Sequence, residues 1–316
     1  MKGEAMPALH PQIVQVLEAM ARAGLRPIED LTPAEARAQL EATAGARDAE
    51  PLPVAKVEER QIPGPEAEIR LRFYWPDLLP PAPAILYYHG GGHVIGSLDT
   101  HDLVARNLCA GVGALVASVD YRMGPEHKFP AAVEDSFAAL EWVRANAASL
   151  GADPGRIGVH GDSAGANLAA VIALMARDAG LPLRLQSLVY PVADYTLSGA
   201  SYEKYARGYG ILTRAAMVWF RGHYLRSSAD AEDWRASPLR ASRHSGVAPA
   251  VVLTAECDVL HDDGESYAAA LRRAGVPVEY REYAGMIHAF FGMVPVVDDA
   301  MNAQRQVWAA FKRAFA

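Results

Sequence analysis

The chain has 316 residues, 51% of them apolar, enough for one large domain with a covered core or two modest ones. Its formal charge is −7, with acidic and basic residues interspersed, so no basic run exists to engage a nucleic-acid backbone. The amino end, Met1-Lys2-Gly3-Glu4-Ala5-Met6-Pro7, lacks an apolar signal core, and no stretch approaches the roughly eighteen apolar residues that span a bilayer. A soluble, cytoplasmic protein is expected.

Residues 1–50 hold two helical patterns and no strand. The second opens with Thr32-Pro33-Ala34-Glu35, a capping box with proline at the first helical position. From about residue 53, short apolar runs alternate with helical stretches. The predicted strands are 53–60, 67–75, 84–88, 114–119, 156–160, 185–190, 250–255 and 278–283, and the predicted helices 99–111, 130–149, 164–180, 263–274 and 297–315. The first two strands have only Gly64 and Pro65 as turn signals between them and read as an antiparallel edge pair. The rest predicts an α/β fold with a mostly parallel eight-stranded sheet flanked by helices. Residues 192–247 interrupt the alternation with Tyr195, Tyr202, Tyr205, Tyr209, Trp219, Phe220, Tyr224 and Trp234. Together with residues 1–50 this segment reads as a helical cap above the carboxyl ends of the strands, where open α/β sheets bind ligands; local aromatic packing is the plainer alternative. Cys109 and Cys257 have neither metal-ligand nor framework spacing and read as buried thiols.

Gly161-Asp162-Ser163-Ala164-Gly165 follows the strand Ile157–His160 and precedes an apolar helical run. Strand, sharp turn and helix place Ser163 at the apex of a nucleophile elbow, with room supplied by the two glycines. The helix beyond Ser163 aims free N–H groups at the site, where acyl transfer develops negative charge. After the third strand stands His89-Gly90-Gly91-Gly92. Backbone N–H groups of Gly91, Gly92 and Ala164 are the expected oxyanion donors. His89 is expected to brace the glycine loop and His160 to be a packed core residue, while Asp162 points away from the site.

A serine hydroxyl needs a base, and the base an acid that holds its tautomer. His288, after the last strand in the loop Ala284-Gly285-Met286-Ile287, is the preferred base; His93 and His261 are not dismissed by spacing. Asp258, at the end of the strand Ala250–Ala255, is the preferred acid over Glu256, Asp262 and Asp263. Asp262 and Asp263 are expected to cap the helix near Gly264. Arg122 and Glu126 are expected to form a structural ion pair. The chain order Ser163, Asp258, His288 is the order that α/β-hydrolases use.

These motifs, with Asp120-Tyr121-Arg122, Pro125-Glu126, Asp258-Val259-Leu260 and His288-Ala289-Phe290, resemble the bacterial hormone-sensitive-lipase-like carboxylesterases over nearly the whole chain. The resemblance implies an α/β-hydrolase domain at 51–316, with residues 1–50 and 192–247 as its cap. It also implies hydrolysis of short- to medium-chain acyl esters through an acyl-enzyme, with no cofactor or metal, and a possible homodimer. The chain departs from the family pattern at Val259, Ala289 and Met123-Gly124, which bears on loop shape and substrate fit. Amides, lactones or acetylated sugars are alternative substrates for the same triad. A small-molecule receptor, like the plant gibberellin receptors that resemble this family, is disfavoured because all three triad members are present.

Overall fold

The computed structural model describes residues 7–45, 50–207, 209 and 211–316. The leader reading of residues 1–6 and the junction at 46–49 lie outside the described residues. Eight strands form one sheet: β1 (Lys56–Ile62), β2 (Ile69–Trp75), β3 (Ala82–Tyr88), β4 (Leu115–Asp120), β5 (Ala152–Asp162), β6 (Gln186–Val189), β7 (Ala250–Cys257) and β8 (Val278–Ile287). Their order is β1-β2-β4-β3-β5-β6-β7-β8. β1 pairs with β2 antiparallel, as the edge reading requires, and β2 pairs with β4 in the same sense. Every other neighbour is parallel. The central strands are apolar on both faces because helices cover both.

One face carries α3 (Asp102–Val112) and α10 (Asp298–Phe315). Asn107 of α3 donates to Gln304 of α10 at 3.1 Å, so the buried amides of this contact satisfy each other. Helix α3 stops where Gly113 takes φ +77° and its N–H reaches the Cys109 carbonyl at 2.9 Å. The opposite face carries α4 (Ala131–Ala145), continued after Asn146 by the single turn α5 (Ala147–Leu150), and α6 (Ala164–Asp178). Helix α6 is buried almost all round, from Ala164 to Leu174. Its fully buried Leu168, Val171, Ile172 and Leu174 side chains each contribute about 1.5–3 kcal/mol. Both cysteines are buried free thiols.

The amino-terminal segment forms α1 (Pro11–Arg22) and α2 (Pro33–Gly45). The capping box at Thr32 is made: its N–H reaches Glu35 Oε2 at 2.8 Å and its hydroxyl accepts the Glu35 N–H at 3.3 Å. The insertion after β6 contains the turn α7 (Ser201–Lys204) and α8 (Arg214–Tyr224). The two segments touch: Thr213 donates to Glu29 at 2.8 Å, and Trp219 Nε1 donates to the Leu31 carbonyl at 3.0 Å. The helix that connects β7 to β8, α9 (His261–Arg273), packs on both strands.

Three expectations need correction. Residues 284–287 belong to β8, which runs past a register shift opposite Ala255–Cys257 with Gly285 at φ +67°. Helix α9 starts at His261, so Asp262 and Asp263 lie in its first turn and do not cap it. Their carboxyl oxygens accept N–H groups from the insertion: Ser201 to Asp262 at 2.9 Å, and Ala193 and Asp194 to Asp263 at 2.9 and 3.1 Å. Arg122 does not pair with Glu126. It forks onto Asp135 at 2.9 Å and meets Glu66, while Glu126 pairs with Arg37 at 2.7 Å.

Candidate active site

The turn from β5 into α6 is tight because chains cross within it. A Cβ on Gly161 would lie 2.2 Å from the Gly165 carbonyl carbon, and one on Gly165 would lie 1.9 Å from the Tyr88 carbonyl oxygen. Ser163, at the apex, takes φ +55° and ψ −120°. That conformation costs a residue with a Cβ about 1–3 kcal/mol and persists only where the surroundings over-determine it. Here the Ser163 N–H is held by the Val189 carbonyl at 2.8 Å, and its own carbonyl accepts from Asn167 at 3.0 Å.

His288 and Asp258 arrive from the ends of β8 and β7. His288 Nε2 lies 2.9 Å from Ser163 Oγ, and His288 Nδ1 lies 2.7 Å from Asp258 Oδ2. A carboxylate only accepts, so Nδ1 carries the proton and Nε2 faces the hydroxyl as acceptor. The other Asp258 oxygen accepts the Leu260 N–H at 3.0 Å, and the Asp258 side chain is wholly buried. The Tyr190 ring backs the imidazole with centroids 4.6 Å apart. This arrangement can pass a proton from the serine to the imidazole while the carboxylate stabilises the cation.

The rival residues are occupied elsewhere. Glu256 accepts the Gly285 N–H at 2.7 Å and so shapes the end of β8. His261 sits between Asp262 at 3.1 Å and Glu282 at 2.5 Å. With Glu265, His261 and Asp262 bring ligand-type atoms within 4.8 Å of one another, but these side chains already satisfy one another or face solvent. His93 is buried against Tyr224. His160 is a core residue at 2.9 Å from Ser187 Oγ, and burial draws its pKa down to about 4.

The glycine loop takes its shape from several braces. Gly91 and Gly92 have φ of +116° and +61°, and the Gly91 carbonyl accepts from Val94 and Ile95. His89 Nδ1 donates to the Gly90 carbonyl at 2.7 Å, which makes its ring the expected brace; burial lowers its pKa to about 3. Tyr121 donates to the His89 carbonyl at 2.7 Å. Asp162 points away from the serine hydroxyl and accepts from Tyr87 at 2.9 Å and from the Gly90 N–H at 3.2 Å. Burial works against its charge, but the neighbouring His101 and Tyr87 bring its pKa down to about 2. Among the described residues, nothing accepts from the N–H groups of Gly91, Gly92 or Ala164. Phe220 of α8 lies over Gly92, where a Cβ would meet its ring at 2.1 Å.

Sequence reasoning missed Arg37, Tyr121, Asn167 and His101 as parts of this neighbourhood. Tyr121 stands in a motif quoted above, and Asn167 lies one turn beyond the elbow; Arg37 and His101 carry no comparable local signal. His101 lines a cleft of about 100 Å³ beside the site, together with Thr100, Asp162, Tyr190, Ala289 and Phe291. A larger groove between residues 239–245 and α9 shares no residue with it.

This sheet order, with an elbow serine beneath a glycine loop, is that of the α/β-hydrolases. Residues 85–292 match the family model described as alpha/beta hydrolase fold, and the chain belongs to that family. It is 44% identical over 271 residues to the carboxylesterase NlhH of Mycobacterium tuberculosis, covering 83% of this chain and 84% of that protein. It is also 44% identical over 244 residues to the carboxylic ester hydrolase LipN of the same organism, covering 75% of this chain and 65% of LipN. Among solved structures, a hyperthermophilic esterase from Pyrobaculum calidifontis superposes with a TM-score of 0.93 at 43% identity, covering 98% of this chain and all of that one. The resemblance read from the motifs and the family found by comparison agree.

Proposed function

We propose that the protein is a serine carboxylesterase with Ser163 as nucleophile, His288 as general base and acid, and Asp258 as the group that orients His288. The observation that carries this reading is the hydrogen-bonded line from Asp258 Oδ2 through His288 to Ser163 Oγ, at 2.7 and 2.9 Å. Ser163 Oγ adds to the ester carbonyl carbon as its proton passes to His288 Nε2, and the carbonyl electron pair becomes an oxyanion. The N–H groups of Gly91, Gly92 and Ala164 bind that oxyanion. Collapse expels the alcohol, which takes the proton from His288. Water then adds to the acyl-enzyme by the same relay and releases the carboxylic acid.

Short- to medium-chain acyl esters suit the site. Phe220 lies over Gly92 and narrows the approach to the glycine loop, which supports this reading. Residues 1–50 and 192–247 act as the cap of a catalytic domain spanning 51–316, a reading supported by the Thr213–Glu29 and Trp219–Leu31 hydrogen bonds. No described helix is long and apolar enough to cross a membrane. A cytoplasmic homodimer completes the reading. Cell fractionation and light scattering check those two points.

The decisive experiment is Ser163→Ala assayed on a short-chain aryl ester. The expected result is loss of turnover by about 10⁴-fold or more, in folded protein. Turnover near that of the unmodified enzyme would remove Ser163 from the mechanism.

A further inference from the structure

The two halves of the oxyanion site come from separate elements, the glycine loop after β3 and the first turn of α6. Their separation has to be held to within about 0.5 Å for the donors to converge on one oxygen. We propose that His93 is a positioning residue that holds them together, acting on the nucleophile helix through a buried polar bridge to Asn167. This proposal rests on reading Gly91, Gly92 and Ala164 as the oxyanion donors.

His93 directly follows Gly92, is fully buried and takes φ +58°, so its surroundings fix its backbone. Its carbonyl accepts the Gly124 N–H at 2.8 Å. Its ring stacks on Tyr224 with centroids 3.9 Å apart and planes 19° apart, with Tyr195 at 6.1 Å and Tyr121 at 6.2 Å. A phenylalanine would fill this stack equally well, so packing does not account for the two ring nitrogens.

Asn167 is one turn beyond the nucleophile on α6, and its N–H caps the Ser163 carbonyl at 3.0 Å. Its side-chain NH₂ donates to the carbonyls of Val192 at 2.9 Å and Ala236 at 2.7 Å. Two carbonyl partners require a donor, which settles the amide orientation and leaves Oδ1 as a fully buried acceptor. That oxygen has no partner in hydrogen-bond geometry among the described residues, and neither do His93 Nδ1, His93 Nε2 or the hydroxyls of Tyr195 and Tyr224. Five unpartnered buried polar atoms in one packed group is far from the native norm, in which such atoms are paired directly or through ordered water.

The His93 and Asn167 side chains lie close enough for the amide to favour ring protonation, yet burial, helped by His89, draws the His93 pKa down to about 3. The ring is therefore neutral, with one N–H to give and one bare nitrogen to receive. Its N–H matches the free Asn167 oxygen, directly or through one water. Catalytic hydrogen bonds that are long in the free enzyme tighten when charge develops, and this one closes the glycine loop onto the helix as the oxyanion forms.

The test compares His93→Phe, which keeps the stacked ring, with His93→Gln, which restores a donor and an acceptor. Each is assayed on a short-chain aryl ester and titrated with a trifluoromethyl ketone, which adds to the serine as a stable oxyanion. His93→Phe is expected to lower kcat about 10- to 100-fold, leave KM within about twofold, and weaken the ketone by the same factor as kcat. His93→Gln is expected to recover most of both losses. Phenylalanine with unchanged kcat and ketone affinity overturns the proposal, as does glutamine no better than phenylalanine. Should His93→Phe fail to fold, a crystal structure of the unmodified enzyme with the ketone decides. A His93–Asn167 bridge, direct or through one water, supports the proposal, and its absence overturns it. An active Ser163→Ala would instead bring down the esterase mechanism, whatever the His93 variants do.

Discussion

Arg37 Nε donates to the Val94 carbonyl at 2.8 Å, so the second amino-terminal helix grips the loop that carries Gly91 and Gly92. The same guanidinium reaches the Gly124 carbonyl at 2.8 Å and pairs with Glu126. Replacing Arg37 with methionine keeps the aliphatic stem and removes every one of these bonds. Loss of about 1–3 kcal/mol of stability is expected, with several-fold lower kcat/KM as the glycine loop loosens. Urea unfolding alongside ester kinetics checks both, and an Arg37→Met protein of unchanged activity would detach the loop from that helix.

Gly92 has a left-handed φ of +61°, and a methyl group there would sit 2.1 Å from the Phe220 ring. Gly92→Ala is expected to reduce kcat by about 10²–10³, the cost of one misplaced oxyanion donor. Phe220→Ala in the same chain should relieve the clash and return part of that loss. Pre-steady-state kinetics with a chromogenic ester would locate the defect in acylation.

Asp258→Asn addresses the imidazole tautomer. The asparagine amide can present its NH₂ to His288 Nδ1 and force the ring proton onto Nε2, where it blocks proton abstraction. A drop of about 10⁴ in kcat with KM nearly unchanged is expected. Retained turnover would pass the role of acid to another carboxylate.

Asp263 supplies a pH signature of the fold. Burial pushes its carboxyl up to about 8, although the Ala193 and Asp194 N–H groups favour the charged form. In the unfolded chain the group titrates near 3.9, so across about pH 4–8 the folded state holds a proton that the unfolded state has lost. Its contribution to stability is therefore full below about pH 4 and declines as pH rises towards 8. Asp263→Asn should flatten that decline, and melting temperatures of the two proteins over the interval measure the difference. Parallel curves would mean that Asp263 is ionised throughout.

What the sequence discloses divides by the range of the interaction. Ser163, the glycine loop and the ends of β7 and β8 announce themselves through local grammar, an apolar run followed by a sharp turn. Asp258 and His288 stand where that grammar puts them. Charge pairing has no such grammar. Arg122 chose Asp135 over the nearer Glu126, because Asp135 is buried on α4 and needs a forked partner. Glu126 found Arg37, 89 positions away, the single arginine of α2, which no local pattern ties to the residues after β4. The end of β8 is hidden for a related reason: Ala284-Gly285 looks like a turn, and pairing with Cys257 keeps Ile287 in the sheet.

The contacts of the amino-terminal helices carry a consequence for biosynthesis. His10 hydrogen-bonds to Gly285, Glu29 to Thr213 and Leu31 to Trp219. A ribosome delivers the first member of each pair some 180 to 280 residues before the second. The bonds of His10, Glu29 and Leu31 therefore form only after residues 213–285 have been made, whereas the Arg37 contacts with Val94, Gly124 and Glu126 can form much earlier. The two amino-terminal helices would then dock in stages, α2 onto the glycine loop first and the start of α1 onto β8 last.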